Sequence, residues 1–214
     1  MSQQPVRRTQ IIDAAISILA TEGLEALNMR RLAADLRLRP MALYYYVPNK
    51  TALLSMVLAE MSYRVDWTVA PGPPRDRMID LAMLQYTSFG NAPWLVEVMR
   101  AGITMMTPPL PLGDAFVSAA NELGIADEPA LALWRSTWML VAAELLWHQP
   151  VADDPSTNTH PQANYVFDSI DPEYLAHTPT MARIAPHWNT YFERFDLRVP
   201  ITALIDGTIA QARG

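Results

Sequence analysis

The residues with the most evident chemical purpose lie in one short run: Tyr44, Tyr45 and Tyr46, then Pro48, Asn49 and Lys50. A tyrosine pairs an apolar ring with a hydrogen-bonding tip, which suits it to an oxygen-rich surface laid over apolar contacts. Lys50 is the only lysine among sixteen basic residues. Asn49 is a good helix cap, so Lys50 stands at a helix start, where the macrodipole opposes a cation. A lysine there calls for an anionic partner. Arg30, Arg31, Arg37 and Arg39 precede the run. Tyrosine tips and cations together read as groups for phosphate oxygens. Each also has a plainer reading. The arginines can form a solvated face, and at least one of the three tyrosines is expected to be largely buried.

Other chemistries lack their residues. The chain has no cysteine, which excludes disulfides, thiolate zinc sites and a cysteine nucleophile. His148, His160, His177 and His187 contain no i, i+4 pair for a metal, and no glycine-rich phosphate loop is present. No metal or cofactor is expected. No apolar run reaches the ~18 residues that cross a bilayer, and the polar N-terminus has no signal core. A cytoplasmic protein with no membrane partner is the expectation. The net charge of −6 speaks at first against nucleic acid. It divides unevenly, however: residues 1–64 carry +3 and residues 65–214 carry −9.

The elements that must position these groups are helical throughout. Apolar residues recur at helical spacing, as in Ile11, Ala14, Ala15, Ile18 and Leu19. The spacing predicts a helix from about Arg7 to Ala20, stopped by Gly23. Asn28 caps a short helix over 28–36, and Pro40 opens another over 40–46. Asn49 caps a fourth, running to about Trp67. The 28–36 and 40–46 pair, joined by a three-residue turn, has the spacing of a helix-turn-helix, whose second helix enters the major groove. Pro71, Gly72, Pro73 and Pro74 form the clearest linker. Beyond it, helices are expected over 75–89, 94–105, 112–123, 128–148, 187–195 and 200–212. Residues 150–161 read as a polar, Pro-rich loop, and 171–186 stay ambiguous because prolines cut them.

Leu43 to Lys50 with Ala52-Leu53-Leu54, together with Ile11–Ala15, Gly23 and Arg30-Arg31-Leu32-Ala33, resemble the signature of the TetR family of repressors. The resemblance runs ungapped over about residues 8–60 and is greatest to the tetracycline-repressor branch. It implies an all-α protein. A three-helix DNA-binding head with its connecting helix would cover 1–67, and a ligand-binding and dimerisation body 75–214. Position by position, it implies that Asn28, Met29 and Arg30 meet phosphates or a base at the start of the second helix. Pro40, Met41, Ala42, Tyr45 and Tyr46 would lie on the recognition helix. Tyr44 and Lys50 would each meet a phosphate. Two departures bear on operator choice. Arg37 stands where the family usually has glycine, which strains or alters the turn. Met41 and Ala42 replace more polar residues; apolar groups read a thymine methyl but make no bidentate bonds. Arg37 and Arg39 are candidates to supply phosphate or guanine contacts instead.

The body resembles the family more loosely, through its long helix 128–148 and terminal helix 200–212. The resemblance implies that these two pack with their copies into a four-helix bundle, with Ala203 and Gly207 allowing close approach. An aromatic, sulfur-rich pocket is expected from Tyr86, Phe89, Trp94, Met99, Met105, Met106, Trp134 and Trp138, with His148 as its polar group. Any one of these aromatics can equally be core. The reading is a homodimeric repressor of a palindromic operator in double-stranded DNA, released by a small apolar or aromatic effector. An all-α enzyme with an aromatic pocket, or a helical interaction module without specific DNA binding, are the alternatives. An electrophoretic shift with the DNA flanking its own gene separates them.

Overall fold

The computed structural model describes residues 4–103, 110–147 and 172–213. Every regular element among them is helical. The head holds α1 (Gln4–Glu22), α2 (Met29–Asp35), α3 (Pro40–Tyr46) and α4 (Lys50–Arg64). The body holds α5 (Pro74–Gly90), α6 (Pro93–Arg100), α7 (Leu110–Glu122) and α8 (Asp127–Trp147). The short α9 (Pro172–Ala176), α10 (Pro179–Ile184) and α11 (Trp188–Glu193) then lead to α12 (Arg198–Arg213).

The caps are those the sequence calls for. Asn28 Oδ1 accepts the Arg31 N–H at 2.9 Å, and Asn49 Oδ1 accepts the Ala52 N–H at 2.8 Å. Each satisfies an amide that the helix start leaves without an intrahelical partner. The turn between α2 and α3 is a Schellman motif. Leu38 N–H bonds to Ala33 O at 2.8 Å and Arg37 N–H to Ala34 O at 2.9 Å. Arg37 takes the left-handed conformation this motif needs, with φ of 53°. Arg31 of α2 makes a bidentate ion pair with Glu22 of α1 and holds Glu22 below the usual carboxylate pKa range. Of Arg30, Arg31, Arg37 and Arg39, Arg31 is thus committed to fastening two helices together.

Ile11, Ala15, Leu19, Leu32, Leu43 and Leu53 meet in the core of the head. In the body α5, α7, α8 and α12 pack on one another, burying Met78, Leu81, Phe116, Leu133, Ile201 and Ile205. Each such side chain contributes about 1.5–3 kcal/mol. One apolar cluster runs unbroken from the head into the body. Trp67, just after α4, continues it: its Nε1–H donates to Ser62 O at 2.8 Å while its ring meets the edge of Phe89.

Two segments differ from the expectation. Helix α6 ends at Arg100 rather than near Met105, because Gly102 (φ 76°) lets Ile103 N–H turn back to Val98 O. The prolines at 172 and 179 begin helices rather than interrupt one. Proline fits a first helical position, where its missing N–H removes no helix bond.

Candidate nucleic-acid interface and effector cavity

Leu43 of α3 and Val47 just after it point into the core, while Met41, Tyr44 and Tyr45 lie outward, three and four residues apart on one face of α3. Met41 is 80% exposed and Tyr45 77%. Tyr46 is half-buried and packs on the core, meeting Tyr45 edge-on at 5.5 Å. Ala42 is half-buried and Pro40 exposed. Asn28, Arg30, Arg37 and Arg39 are exposed, and the three arginines have no ion pair among the described residues. Met29 behaves differently: it is only 8% exposed and belongs to the core, so its side chain is withdrawn from the surface.

Lys50 has a partner that its sequence position does not reveal. Its Nζ donates to Leu24 O at 2.9 Å. The cation at the start of α4 is therefore met by the carbonyl of a loop residue, and an anion is not required to hold it. Two of its three N–H donors remain. On the other side of Leu24, its N–H faces Glu97 Oε2 at 3.4 Å. Glu97 lies on α6, so this contact joins head and body.

A cavity of about 780 Å³ opens in the body. Its walls include Trp134, Trp138 and Met99, three of the expected pocket residues. Leu58 of α4 and Gln85 of α5 line its buried part, and Glu128 and Arg135 of α8 lie at its exposed part. Gln85 is only 3% exposed, yet its amide has no hydrogen bond among the described residues. The Trp134 indole N–H is likewise buried without an acceptor there. Trp134 lies against Gly113 of α7: a Cβ at that glycine would stand 2.7 Å from Trp134 Cη2.

Phe89 and Trp94 are buried in the core and do not line this cavity. Phe89 supports it from behind, meeting Trp138 edge-on at 5.7 Å. Tyr86 is half-buried beside the cavity residues in sequence but does not line it either; burial, then the Glu144 charge, pushes its phenol pKa up. Met105, Met106 and His148 lie outside the described residues. Sequence reasoning missed Gln85, Leu58, Glu128, Arg135 and Glu97. Gln85 left a signal: it interrupts the apolar stripe Met78, Leu81, Ala82 and Phe89 on the inner face of α5. The others left none, since Leu58 and Glu97 owe their roles to helix packing.

A capped helix-turn-helix with a tyrosine-rich outer face, carried by an all-helical body with a cavity, is the architecture in which a short second helix can enter a major groove. Residues 11–57 match the family described as bacterial regulatory proteins, tetR family. That match lies in the head, where the chain is similar to the family's DNA-binding region. The repressor DrrR1 of Streptomyces coeruleorubidus is 36% identical over 94 residues, covering 43% of this chain and 35% of that protein. The matched stretch thus spans about a third of DrrR1. The class E tetracycline repressor of Escherichia coli is 25% identical over 162 residues, 76% of this chain and 74% of that one. In fold, the chain is similar to Streptomyces coelicolor ActR crystallised with actinorhodin. The TM-score is 0.73 at 22% identity, covering 97% of this chain and 98% of ActR.

Proposed function

We propose that the protein is a homodimeric, ligand-responsive repressor that binds a palindromic operator and releases it when an effector fills the body cavity. The division of labour is a head over 1–67 and a body over 75–214. Met41, Tyr44, Tyr45 and the exposed arginines at 30, 37 and 39 face the major groove and its phosphates. Lys50 fixes the α4 start and offers its remaining donors to a phosphate.

The observation that carries this reading is the place of Leu58. It belongs to α4, the helix that Lys50 begins, and it also lines the cavity. Helix α6 makes a second link, since Met99, Gly102 and Ile103 border the cavity while Glu97 touches Leu24. A molecule in the cavity therefore presses on the two helices that set the head. An effector shifts the equilibrium only by its difference in affinity between the two arrangements, typically about 1–3 kcal/mol.

Dimerisation is supported by the outer faces of α8 and α12. Met139 is exposed on α8 and Val199 on α12. Open space stands over Gly207. A dimer paired through these faces would have to hold its two recognition helices about one DNA turn, ~34 Å, apart to read a palindrome. ActR, which shares the fold, holds actinorhodin in its crystal; the aromatic cavity walls here suit a small apolar or aromatic effector.

The test is an electrophoretic shift with the DNA flanking the protein's own gene, repeated over a salt series. One discrete complex, lost steeply as salt rises, is expected. Equal, weak retention of unrelated fragments overturns the reading.

A further inference from the structure

We propose that Met41 is a modification site: a two-electron oxidant of the hypochlorous acid type converts its thioether to the sulfoxide, and the oxidised head releases its operator. This rests on the reading of α3 as the recognition helix and adds a means of regulation to that surface.

Three observations carry it. The first is access. Met41 is the most exposed large apolar side chain among the described residues. The other methionines of the head are not open in this way: Met29 and Met56 are buried, and Met61 is half-buried. The second is competition. The chain has no cysteine, so no thiol takes the oxidant first, and the soft thioether is the next acceptor of it. The third is position. Met41 shares the outward face of α3 with Tyr44 and Tyr45 and supports no part of the core. Oxidation there changes what the helix presents without loosening what holds it. The sulfur lone pair attacks the chlorine of hypochlorous acid, and the O–Cl bond breaks with loss of hydroxide. Water then bonds to sulfur through its oxygen as chloride and two protons leave. Sulfur loses two electrons and chlorine gains them; the sum is sulfoxide, chloride and one proton. The product oxygen only accepts hydrogen bonds. Beside a thymine methyl and O4, or a phosphate, it meets no donor, whereas the thioether meets the methyl well. Bound DNA covers the same sulfur, so operator binding and oxidation oppose each other.

The test titrates hypochlorous acid into the full chain, with and without the DNA flanking its own gene. Peptide mass spectrometry follows oxidation at Met41 and at Met181, a second exposed methionine that lies in the body. In the free protein Met41 should oxidise ahead of Met181. DNA should slow Met41 several-fold and leave Met181 unchanged. Operator affinity of the oxidised wild type should fall roughly tenfold or more in the electrophoretic shift, as for the loss of a base contact. Methionine sulfoxide reductases should restore it. Met41→Leu keeps an apolar side chain without the sulfur; whatever its starting affinity, the same treatment should take none of it away. Full oxidation of Met41 with affinity unchanged, or a loss in Met41→Leu equal to that in the wild type, would overturn the proposal. So would Met41 oxidising at one rate with and without DNA, or an affinity that the reductases do not recover. An untreated protein with no discrete shift overturns the regulator reading and this proposal together. A normal shift that survives oxidation of Met41 overturns this proposal alone.

Discussion

Lys50 and Glu97 hold opposite sides of one residue. Lys50 Nζ donates to the carbonyl of Leu24 at 2.9 Å, and Glu97 Oε2 faces its N–H at 3.4 Å. The first lies on α4 in the head and the second on α6 in the body, so the loop after α1 is gripped from both. Glu97→Ala should release the body's side of that grip. We expect operator affinity without effector to change less than threefold, and the effector concentration for release to rise several-fold. DNA shifts titrated with effector measure both; an unchanged release curve would separate Glu97 from the coupling.

Lys50→Met keeps the apolar stem and removes the charge. Two losses should follow: the bond to Leu24, worth about 1.5–3 kcal/mol for a charged donor, and the phosphate contact. The salt slope of DNA binding should fall by about one unit, uniformly across sequences. A lower melting temperature with an unchanged salt slope would leave Lys50 a purely structural role.

Met41 is too exposed to support the fold. Met41→Ala should alter stability by less than about 0.5 kcal/mol. It should change which base is preferred at one position per half-site, read from a library of operator variants. A preference profile identical to the wild type would move the recognition surface elsewhere on α3.

Arg37 adopts a left-handed conformation that costs a side-chain-bearing residue about 1 kcal/mol. Arg37→Gly should therefore raise stability by about that amount in urea unfolding. It should also weaken DNA binding, because an exposed cation is lost. Stabilisation without any change in DNA affinity would assign Arg37 to the turn alone.

Gly113→Ala drives a methyl into the Trp134 ring. Overpacking of this kind costs about 1–3 kcal/mol. Aromatic ligand binding should weaken more than operator binding, because the displaced indole fills the cavity while the head is untouched. Tryptophan emission and the DNA shift, measured together, check this.

Acid should loosen the attachment of α12. Arg75 of α5 bonds Asp206 of α12 through Nη2 at 2.8 Å and lowers the Asp206 pKa below its ordinary value. The folded state then binds fewer protons than the unfolded one between the two pKa values. The stabilisation is complete above the unfolded pKa of about 3.9 and is lost as pH falls through the lower folded value. Asp206→Asn should be less stable than wild type at pH 7, and the gap should close towards pH 3 in denaturant titrations.

Much of the head was legible because its information is local. Asn28, Asn49, Pro40 and Gly23 act on the backbone within a few residues, so the order of helices follows from spacing and cap chemistry. Arg37 was marked by the resemblance, as a residue where glycine is usual, and the structure decided that it keeps the turn and takes the positive φ. The body was less legible. Phe89, Trp94 and Trp134 are alike in composition and helical spacing, yet two are core and one lines the cavity. Whether an aromatic faces a void depends on which helix packs over it.

The sequence by itself determined an all-helical chain, the helix-turn-helix and the split of charge between a basic head and an acidic body. Those rest on periodicity, capping and counting. Only the tertiary structure decided that Gln85 lies unpaired beside a cavity, that Leu58 belongs to both that cavity and α4, and that Lys50 and Glu97 share Leu24. These are contacts between helices far apart in the chain, and packing, with no local rule to announce it, selects them.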